Sequence, residues 1–227
     1  KGDRVVLEKN PDYWGDKPAW DKIVYKVIKS DPSRLAAMLN GDVDLIDYVP
    51  TTDYQTVKNN PKLAMSEVAS NRVIYLVLDQ KGPTTPFAKT NDGKEMPNPM
   101  NNWKIRKAIS LAINRQAIAD RVMEGAAFPA GQLPVSGMFG YDKSIKADAF
   151  DPERAKQLLA EAGYPNGFQL TIHGPNDRYV NDGKITETIG QMLTKAGIKT
   201  QVHTEPKATF FKNAWGYSLV LLGFGSD

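Results

Sequence analysis

Apolar runs separated by glycine, proline and polar residues divide this chain into alternating strand and helix patterns. Short apolar or alternating runs predict strands at residues 4–9, 21–29, 42–47, 71–80, 168–173, 198–204 and 218–222. Apolar positions at helical spacing predict helices at residues 32–40, 51–60, 105–113, 114–124, 152–162, 185–196 and 209–215. Two stretches rich in Gly, Pro and Asn, residues 81–102 and 126–150, are predicted to be irregular.

The second half of the chain repeats one unit, in which a helix ends at Ala-Gly and a strand follows. The glycines are Gly163 and Gly197. Strands alternating with helices in this way predict right-handed crossovers and a largely parallel sheet, so the fold class is α/β. Asp31 and Asp151, each followed by proline, are predicted helix N-caps. The continuous apolar run within residues 71–80 predicts a strand buried on both faces.

The last apolar run leads into a candidate site. Residues 218–222 predict a buried strand, and Gly223, Phe224 and Gly225 predict a sharp turn directly after it. In α/β sheets the carboxyl edge of the strands is where ligands bind, and this turn would deliver the Asp227 carboxylate there. Because the chain stops on Asp227, we interpret the sequence as a piece of a longer protein.

Composition narrows the function classes. A length of 227 residues allows one large domain or two small ones, and 41% hydrophobic with 24% charged residues is ordinary for a globular protein. The net charge of +3 is too small to indicate nucleic acid or a membrane surface as partner. There is no apolar run of about 18 residues that would span a bilayer. The absence of cysteine excludes disulfides and thiolate chemistry.

No catalytic motif is recognisable in the sequence. There is no Gly-x-Ser-x-Gly sequence and no phosphate-binding glycine loop, and the carboxylates are scattered. His173 and His203 lie in or near different predicted strands without a metal-ligand pattern, so we interpret them as ordinary strand residues. We therefore expect no catalytic residue, no metal and no cofactor.

Five stretches, in this order, resemble the dipeptide- and oligopeptide-type solute-binding proteins of ABC importers. They are Asn-Pro-Asp-Tyr-Trp-Gly at 10–15, Arg-Leu-Ala-Ala-Met-Leu-Asn-Gly-Asp-Val-Asp at 34–44, Ile-Arg-Lys-Ala-Ile-Ser-Leu-Ala-Ile-Asn-Arg at 105–115, Asp-Pro-Glu-Arg-Ala-Lys-Gln-Leu-Leu-Ala-Glu-Ala-Gly at 151–163 and Gly-Phe-Gly-Ser-Asp at 223–227. No single stretch is decisive, but five in register make a strong match that covers essentially the whole chain.

The resemblance implies one lobe of a two-lobed clamshell that closes on its ligand, with a mixed, mostly parallel sheet flanked by helices. Residues 51–227 would form the ligand-binding second lobe, truncated before the chain returns to the first lobe. Residues 1–50 would lead into it and belong partly to the missing first lobe. The implied function is extracytoplasmic capture of a peptide or related small solute for the membrane permease, without enzyme activity. The protein would be a periplasmic monomer, or lipid-anchored in a Gram-positive source.

The resemblance also implies a ligand site. In peptide-binding members the aspartate matching Asp227 pairs with the α-amino group of the ligand, and an arginine in the loop matching Arg178 takes its carboxylate. A guanidinium fork fits a carboxylate bidentately, which lysine cannot do. The other candidate ligand contacts are Phe224, Gly225, Tyr179 and Asn181.

The ligand class stays open at this point. Phe224 stands where the family commonly has tryptophan, and family members also bind nickel, haem, opines and sugars. Two other functions also remain open: a hydrolase that uses the scattered carboxylates, and a stand-alone interaction domain that uses the loop at 81–102 against a protein partner.

Overall fold

The computed structural model describes residues 2–225, and the chain divides into two units between Ser66 and Glu67. The lobe boundary predicted after residue 50 stays a prediction. The elements of the first unit are β1 (Arg4–Glu8), β2 (Lys22–Lys26), α1 (Asp31–Leu39) and α2 (Tyr54–Lys58). The strands β1 and β2 form an antiparallel hairpin whose residues are all exposed, including Val5 and Tyr25, which pair with each other.

Helix α1 begins one residue earlier than the sequence indicated. Its N-cap is Ser30, whose hydroxyl oxygen accepts a hydrogen bond from the Ser33 amide at 3.4 Å, so the prediction of Asp31 as the cap is wrong. Asp31 instead forms an ion pair with Arg34 at 2.6 Å. Gly41, with φ of 76°, ends the helix region as predicted.

The strand predicted at residues 42–47 is absent. The segment consists of bends and irregular backbone and pairs with no described strand. Aspartates occupy positions 42, 44 and 47, and aspartate is depleted in strands because its side chain competes for local backbone hydrogen bonds. Of the apolar residues between them, Leu45 is 77% exposed and Val43 and Ile46 are only half-buried, so little burial compensates for this low strand propensity.

The second unit contains a mixed sheet with helices on both faces. Its elements are β3 (Val73–Leu78), β4 (Thr84–Lys89), β5 (Glu95–Pro97), α3 (Trp103–Ala112), α4 (Arg115–Ala117), α5 (Pro152–Glu161), β6 (Gln169–Pro175), α6 (Asp182–Lys195), β7 (Lys199–Glu205), α7 (Lys207–Asn213) and β8 (Leu219–Phe224). The strand order is β3-β8-β6-β4-β5, and β7 pairs with β6. Among the described strands, β6 pairs in parallel with β7 and with β8, while β3, β4 and β5 are antiparallel to their neighbours. The sheet is therefore mixed, with fewer parallel pairings than the sequence predicted.

The alternation along β6 divides the sheet into an apolar face and a more polar face. Leu170 and Ile172 point into the main core, together with residues of α3, α5 and α6. On the opposite face, Phe210 of α7 forms a smaller cluster with Val220 and Leu222 of β8, and Tyr75 and Val77 of β3 pack against it. The rest of that face carries polar and aromatic side chains.

Residues 81–102 are not irregular as predicted, because they contain the β4–β5 hairpin. The register of this hairpin shifts between Thr84 and Lys89, and Pro86 lies in that stretch, where a missing N–H is tolerated. Thr85 is buried, and its hydroxyl shares a 2.7 Å hydrogen bond with the Ser218 hydroxyl. The irregular register thus accommodates Pro86, and a side-chain hydrogen bond accommodates the buried Thr85.

Strand β3 is less buried than its apolar run predicted. Only Val73 is fully buried, and the other five residues are half-buried. Among the described strands β3 pairs with β8 alone, so it lies at an edge of the sheet. The prediction of burial on both faces was therefore wrong for this strand.

Several predicted helix ends are confirmed. Asp151 Oδ1 accepts a hydrogen bond from the Arg154 amide at 2.9 Å, and Asn114 Oδ1 accepts one from the Ala117 amide at 2.9 Å. The helix predicted at 114–124 is shorter than expected, since α4 passes into a π-helical turn at Ile118–Val122. Both glycines of the repeated unit have positive φ angles, as C-terminal glycines require.

Gly167 and Gly163 provide a matched test of how closely the backbone at Gly167 approaches the backbone at Gly197. Both have positive φ, but a Cβ on Gly167 would lie 1.7 Å from the Gly197 carbonyl oxygen, whereas one on Gly163 would meet nothing within 4 Å. We expect Gly163→Ala to lower the free energy of unfolding by about 1 kcal/mol through backbone strain alone. Gly167→Ala should lower it by about 3 kcal/mol or more, because backbone atoms must move. Urea unfolding of the full-length protein would measure both, and equal losses would contradict the close approach.

Candidate functional site

The carboxyl ends of β6 and β8 meet at one edge of the second unit's sheet. These strands are parallel and pair through Ile172 with Leu219 and His173 with Val220, so both run toward this edge. Strand β3 is antiparallel to β8 and therefore begins there. The loop at 176–181, which connects β6 to α6, projects from the same edge and carries three of the predicted site residues.

Strand β8 does not break at the glycines as predicted. It continues to Phe224, with Gly223 paired to Ile74 and Phe224 paired to Val73. A Cβ on Gly223 would lie 2.7 Å from Tyr179 Cε1, and the Tyr179 hydroxyl donates to the Gly223 carbonyl oxygen at 3.4 Å. Glycine is thus required here so that the tyrosine ring can lie against the strand. The predicted turn was wrong, and close packing explains the glycine.

Gly225 has a similar role at the start of β3. A Cβ on this residue would lie 2.8 Å from the Arg72 Cα, so only glycine lets the two chain segments approach this closely. Between the two glycines, Phe224 is 53% exposed.

Two guanidinium groups contact the Tyr179 ring. The Arg178 guanidinium carbon lies 5.2 Å from the ring centroid, and that of Arg72 lies 5.9 Å from it. Both distances are within the range of a cation–π interaction. The Arg178 residue is exposed and Arg72 is half-buried. Sequence reasoning missed Arg72, because its place beside Tyr179 follows only from the antiparallel pairing of β3 with β8.

A buried carboxylate holds the loop in place. Asp182, 3% exposed, accepts hydrogen bonds through Oδ2 from the amides of Arg178 and Tyr179, both at 2.9 Å. Its Oδ1 accepts a third from the Gly183 amide at 2.8 Å. Sequence reasoning also missed this residue, although an aspartate just before a helical apolar stripe is a signal for a helix start.

The predicted site residues fall into three groups: the residues at the sheet edge, Asn181 in the loop, and Asp227. Arg178 and Tyr179 are adjacent in space, and Tyr179 packs on the end of β8 that carries Phe224 and Gly225. Asn181 adopts a left-handed conformation, with φ of 54°, and its side-chain amide donates to the Val122 carbonyl oxygen at 2.9 Å. Asp227 lies outside the described residues. The contacts of these residues with a ligand remain predictions.

A second group of ionisable and aromatic side chains lies on the polar face of the sheet. His173 stacks on Tyr217 with a centroid separation of 3.8 Å, and the Tyr217 hydroxyl donates to Glu205 Oε1 at 2.5 Å. Phe87 and His203 complete the group and help to line an open cavity of about 390 Å³. Burial, with a smaller contribution from the charge of His203, lowers the pKa of His173 from 6.5 to about 4. His173 is therefore neutral at pH 7, and a pKa near 4 makes its imidazole a weak base.

Among residues 2–225, no group of three or more histidine or acidic side chains is arranged to hold a metal ion. In the same part of the chain, no helix has both the length and the apolar character needed to cross a bilayer.

Residues 1–227 match a protein family described as bacterial extracellular solute-binding proteins, family 5, middle part. The chain belongs to this family. Heme-binding protein A of Haemophilus influenzae is 31% identical over 208 residues, which cover 89% of this family 5 chain and 35% of that protein. The dipeptide-binding protein of Escherichia coli is 25% identical over 237 residues, covering 100% of the chain and 41% of the relative.

A solved structure of a periplasmic binding protein has the same fold as this family 5 chain. The periplasmic binding protein DppA from Helicobacter pylori, in complex with the peptide STSA, superposes with a TM-score of 0.74 at 27% identity. The match covers 99% of the chain and 41% of DppA. It confirms the predicted mixed α/β fold of a periplasmic binding protein. The chain thus spans 35% to 41% of the length of these three relatives.

The contact between Gly223 and Tyr179 can be tested by a double-mutant cycle. Gly223→Ala should lower the free energy of unfolding by about 1–3 kcal/mol, because the new methyl group overlaps the ring and Ile74. The loss should be smaller when Tyr179 is already alanine, since part of the overlap is then gone. Gly216→Ala is the control, because a Cβ there meets nothing within 4 Å. Equal losses in both backgrounds, measured by urea unfolding, would contradict the packing.

The buried His173 predicts a specific loss of stability in acid. Its pKa is lowered on folding, so between pH 6.5 and pH 4 the unfolded chain binds a proton that the folded chain does not. The free energy of unfolding should therefore fall by about 2 kcal/mol from this residue as the pH decreases from 7 to 4.5. His173→Phe keeps a ring against Tyr217 and should reduce the pH dependence by that amount. Urea unfolding at the two pH values would measure this. If the free energy of unfolding of His173→Phe falls between pH 7 and pH 4.5 as much as that of the unsubstituted protein, the assignment is refuted.

Proposed function

We propose that the full-length protein is the extracytoplasmic solute-binding component of an ABC importer, with a peptide or a related small solute as its ligand. The observation that carries this proposal is the family match along all 227 residues. Relatives named for dipeptide binding and for a bound peptide favour the peptide class. One relative is named for heme, and we make heme a competing solute in the test below.

The geometry of the sheet edge supports capture of an anionic group. Arg178 is exposed on a loop held by a buried carboxylate, and its guanidinium group lies beside the Tyr179 ring. A planar guanidinium can donate two parallel hydrogen bonds to a carboxylate. We propose that Arg178 receives the ligand carboxylate, that Asp227 pairs with the ligand α-amino group, and that Phe224, Gly225, Tyr179 and Asn181 line the remaining surface.

The proposed mechanism is reversible binding with closure of two lobes, and no covalent bond is broken. In this proposal the second unit, from Glu67 onward, is most of the second lobe, and the first unit leads into it from the first lobe. A ligand held from both sides favours the closed state by its differential affinity for that state. The closed form would then deliver the solute to the permease. We propose a monomer that acts outside the cytoplasm, lipid-anchored if the source is Gram-positive.

Calorimetry on the full-length protein would test this function with a library of dipeptides and tripeptides that have free termini, and with heme as competitor. We expect at least one peptide to bind and to be recovered intact. Arg178→Ala should weaken that binding by about ten- to a hundredfold, because a hydrogen bond to a charged group contributes about 1.5–3 kcal/mol. Arg178→Lys should restore only part of the affinity.

Arg154 provides the matched control. It is an arginine on α5 that pairs with Glu161 at 2.6 Å, and Arg154→Ala should leave peptide affinity unchanged. Binding of heme but of no peptide would refute the peptide class, and cleavage of the bound peptide would refute a pure binding role. Full affinity in Arg178→Ala would remove this arginine from the site.

A further inference from the structure

The loop at 176–181 is held at its start by neighbouring elements. The Asn176 amide donates to the Glu205 carbonyl oxygen at 3.1 Å, which ties the loop to the end of β7. Asp177 Oδ1 accepts a hydrogen bond of 2.5 Å from the Lys207 amide at the start of α7. The loop is therefore attached to two elements before it reaches Arg178.

Asp182 fixes the middle of the same loop. Of its three backbone hydrogen bonds, two come from the amides of Arg178 and Tyr179, the residues whose side chains form the candidate contact surface. The side chain of Asp182 therefore acts on the main chain of this surface and not on the guanidinium or the ring. Hydrogen bonds to a buried carboxylate are charge-assisted and hold their donors in a narrow geometry.

Asp182 is itself prevented from shifting. The Thr186 hydroxyl donates to the Asp182 carbonyl oxygen at 2.7 Å, and Thr186 is 0% exposed. A Cβ on Gly174 would lie 2.4 Å from Thr186 Oγ1, so α6 packs directly against β6 at its second turn. The carboxylate is thus anchored to the central strand, and the loop is anchored to the carboxylate.

We propose that Asp182 is a positioning residue that sets the affinity for the anionic end of the bound solute without touching it. The inference rests on the proposed function, in which Arg178 receives a carboxylate. A guanidinium held near its binding position before the ligand arrives loses less conformational freedom on binding. Releasing the two amides would let the backbone of Arg178 sample other positions and so weaken binding.

The competing interpretation is that Asp182 only stabilises the start of α6. Both interpretations predict lower stability when the carboxylate is removed, so stability cannot separate them. They differ in ligand dependence: a positioning role affects only ligands with a group for Arg178 to bind, and only while Arg178 is present. Asp151 is the matched control, because it caps α5 with a 2.9 Å bond to the Arg154 amide and lies in an exposed position on another element.

The experiment uses the full-length protein and the best-binding dipeptide of the library, as the free acid and as its carboxamide. Asp182→Ala should weaken binding of the free acid by about tenfold and binding of the carboxamide by less than about twofold. In an Arg178→Ala background it should add less than about twofold, since the two residues act as a unit. Asp151→Ala should lower the melting temperature as Asp182→Ala does, but leave both affinities unchanged.

Asp182→Asn, which keeps the size and one acceptor oxygen, is the second variant in case the alanine variant does not fold. It should show the same selective loss, smaller in size. Equal weakening of the free acid and the carboxamide, or full additivity with Arg178→Ala, would overturn the positioning role. If Arg178→Ala alone has no effect on the free acid, or if no dipeptide binds, the proposed function fails, and the positioning role fails with it.

Discussion

The second unit depends on the position of β6 between three other strands. On one side it pairs along its whole length with β7. On the other side its first residues pair with β4, and Ile172 and His173 pair with β8. Because β7 and β8 both run parallel to β6, their carboxyl ends lie at one edge and the connecting segments must cross the faces of the sheet. The side-chain alternation of β6 then decides which face is the core.

The parts of this architecture that depend on neighbouring residues could be predicted from the sequence. Asp151 and Asn114 cap helices through amides three residues away, and Gly163 and Gly197 end helices through their own backbone conformation. The error at α1 was of the same local kind, because serine and aspartate are equally good caps, and Ser30 is the residue that accepts the hydrogen bond.

The parts that depend on distant residues could not be predicted. Thr85 is buried against Ser218, which lies 133 positions later, and no pattern within residues 81–102 reports that contact. The roles of Gly223 and Arg72 likewise follow from Tyr179, which reaches them only after β3, β6 and β8 have assembled. The sequence placed Arg178 and Tyr179 in a loop between a strand and a helix, as the structure does, but it held no sign that Asp182 would bind their amides.

The way in which Asp182 anchors the loop determines which of its positions tolerate mutation. The carboxylate binds main-chain amides, and every residue type except proline supplies such an amide. The exposed side chain at position 178 can therefore vary by mutation while the framework that presents it stays intact, whereas Tyr179 is constrained by its contacts with Gly223. An exchange of the side chain at position 178 would therefore change the proposed contact surface without changing the backbone that presents it.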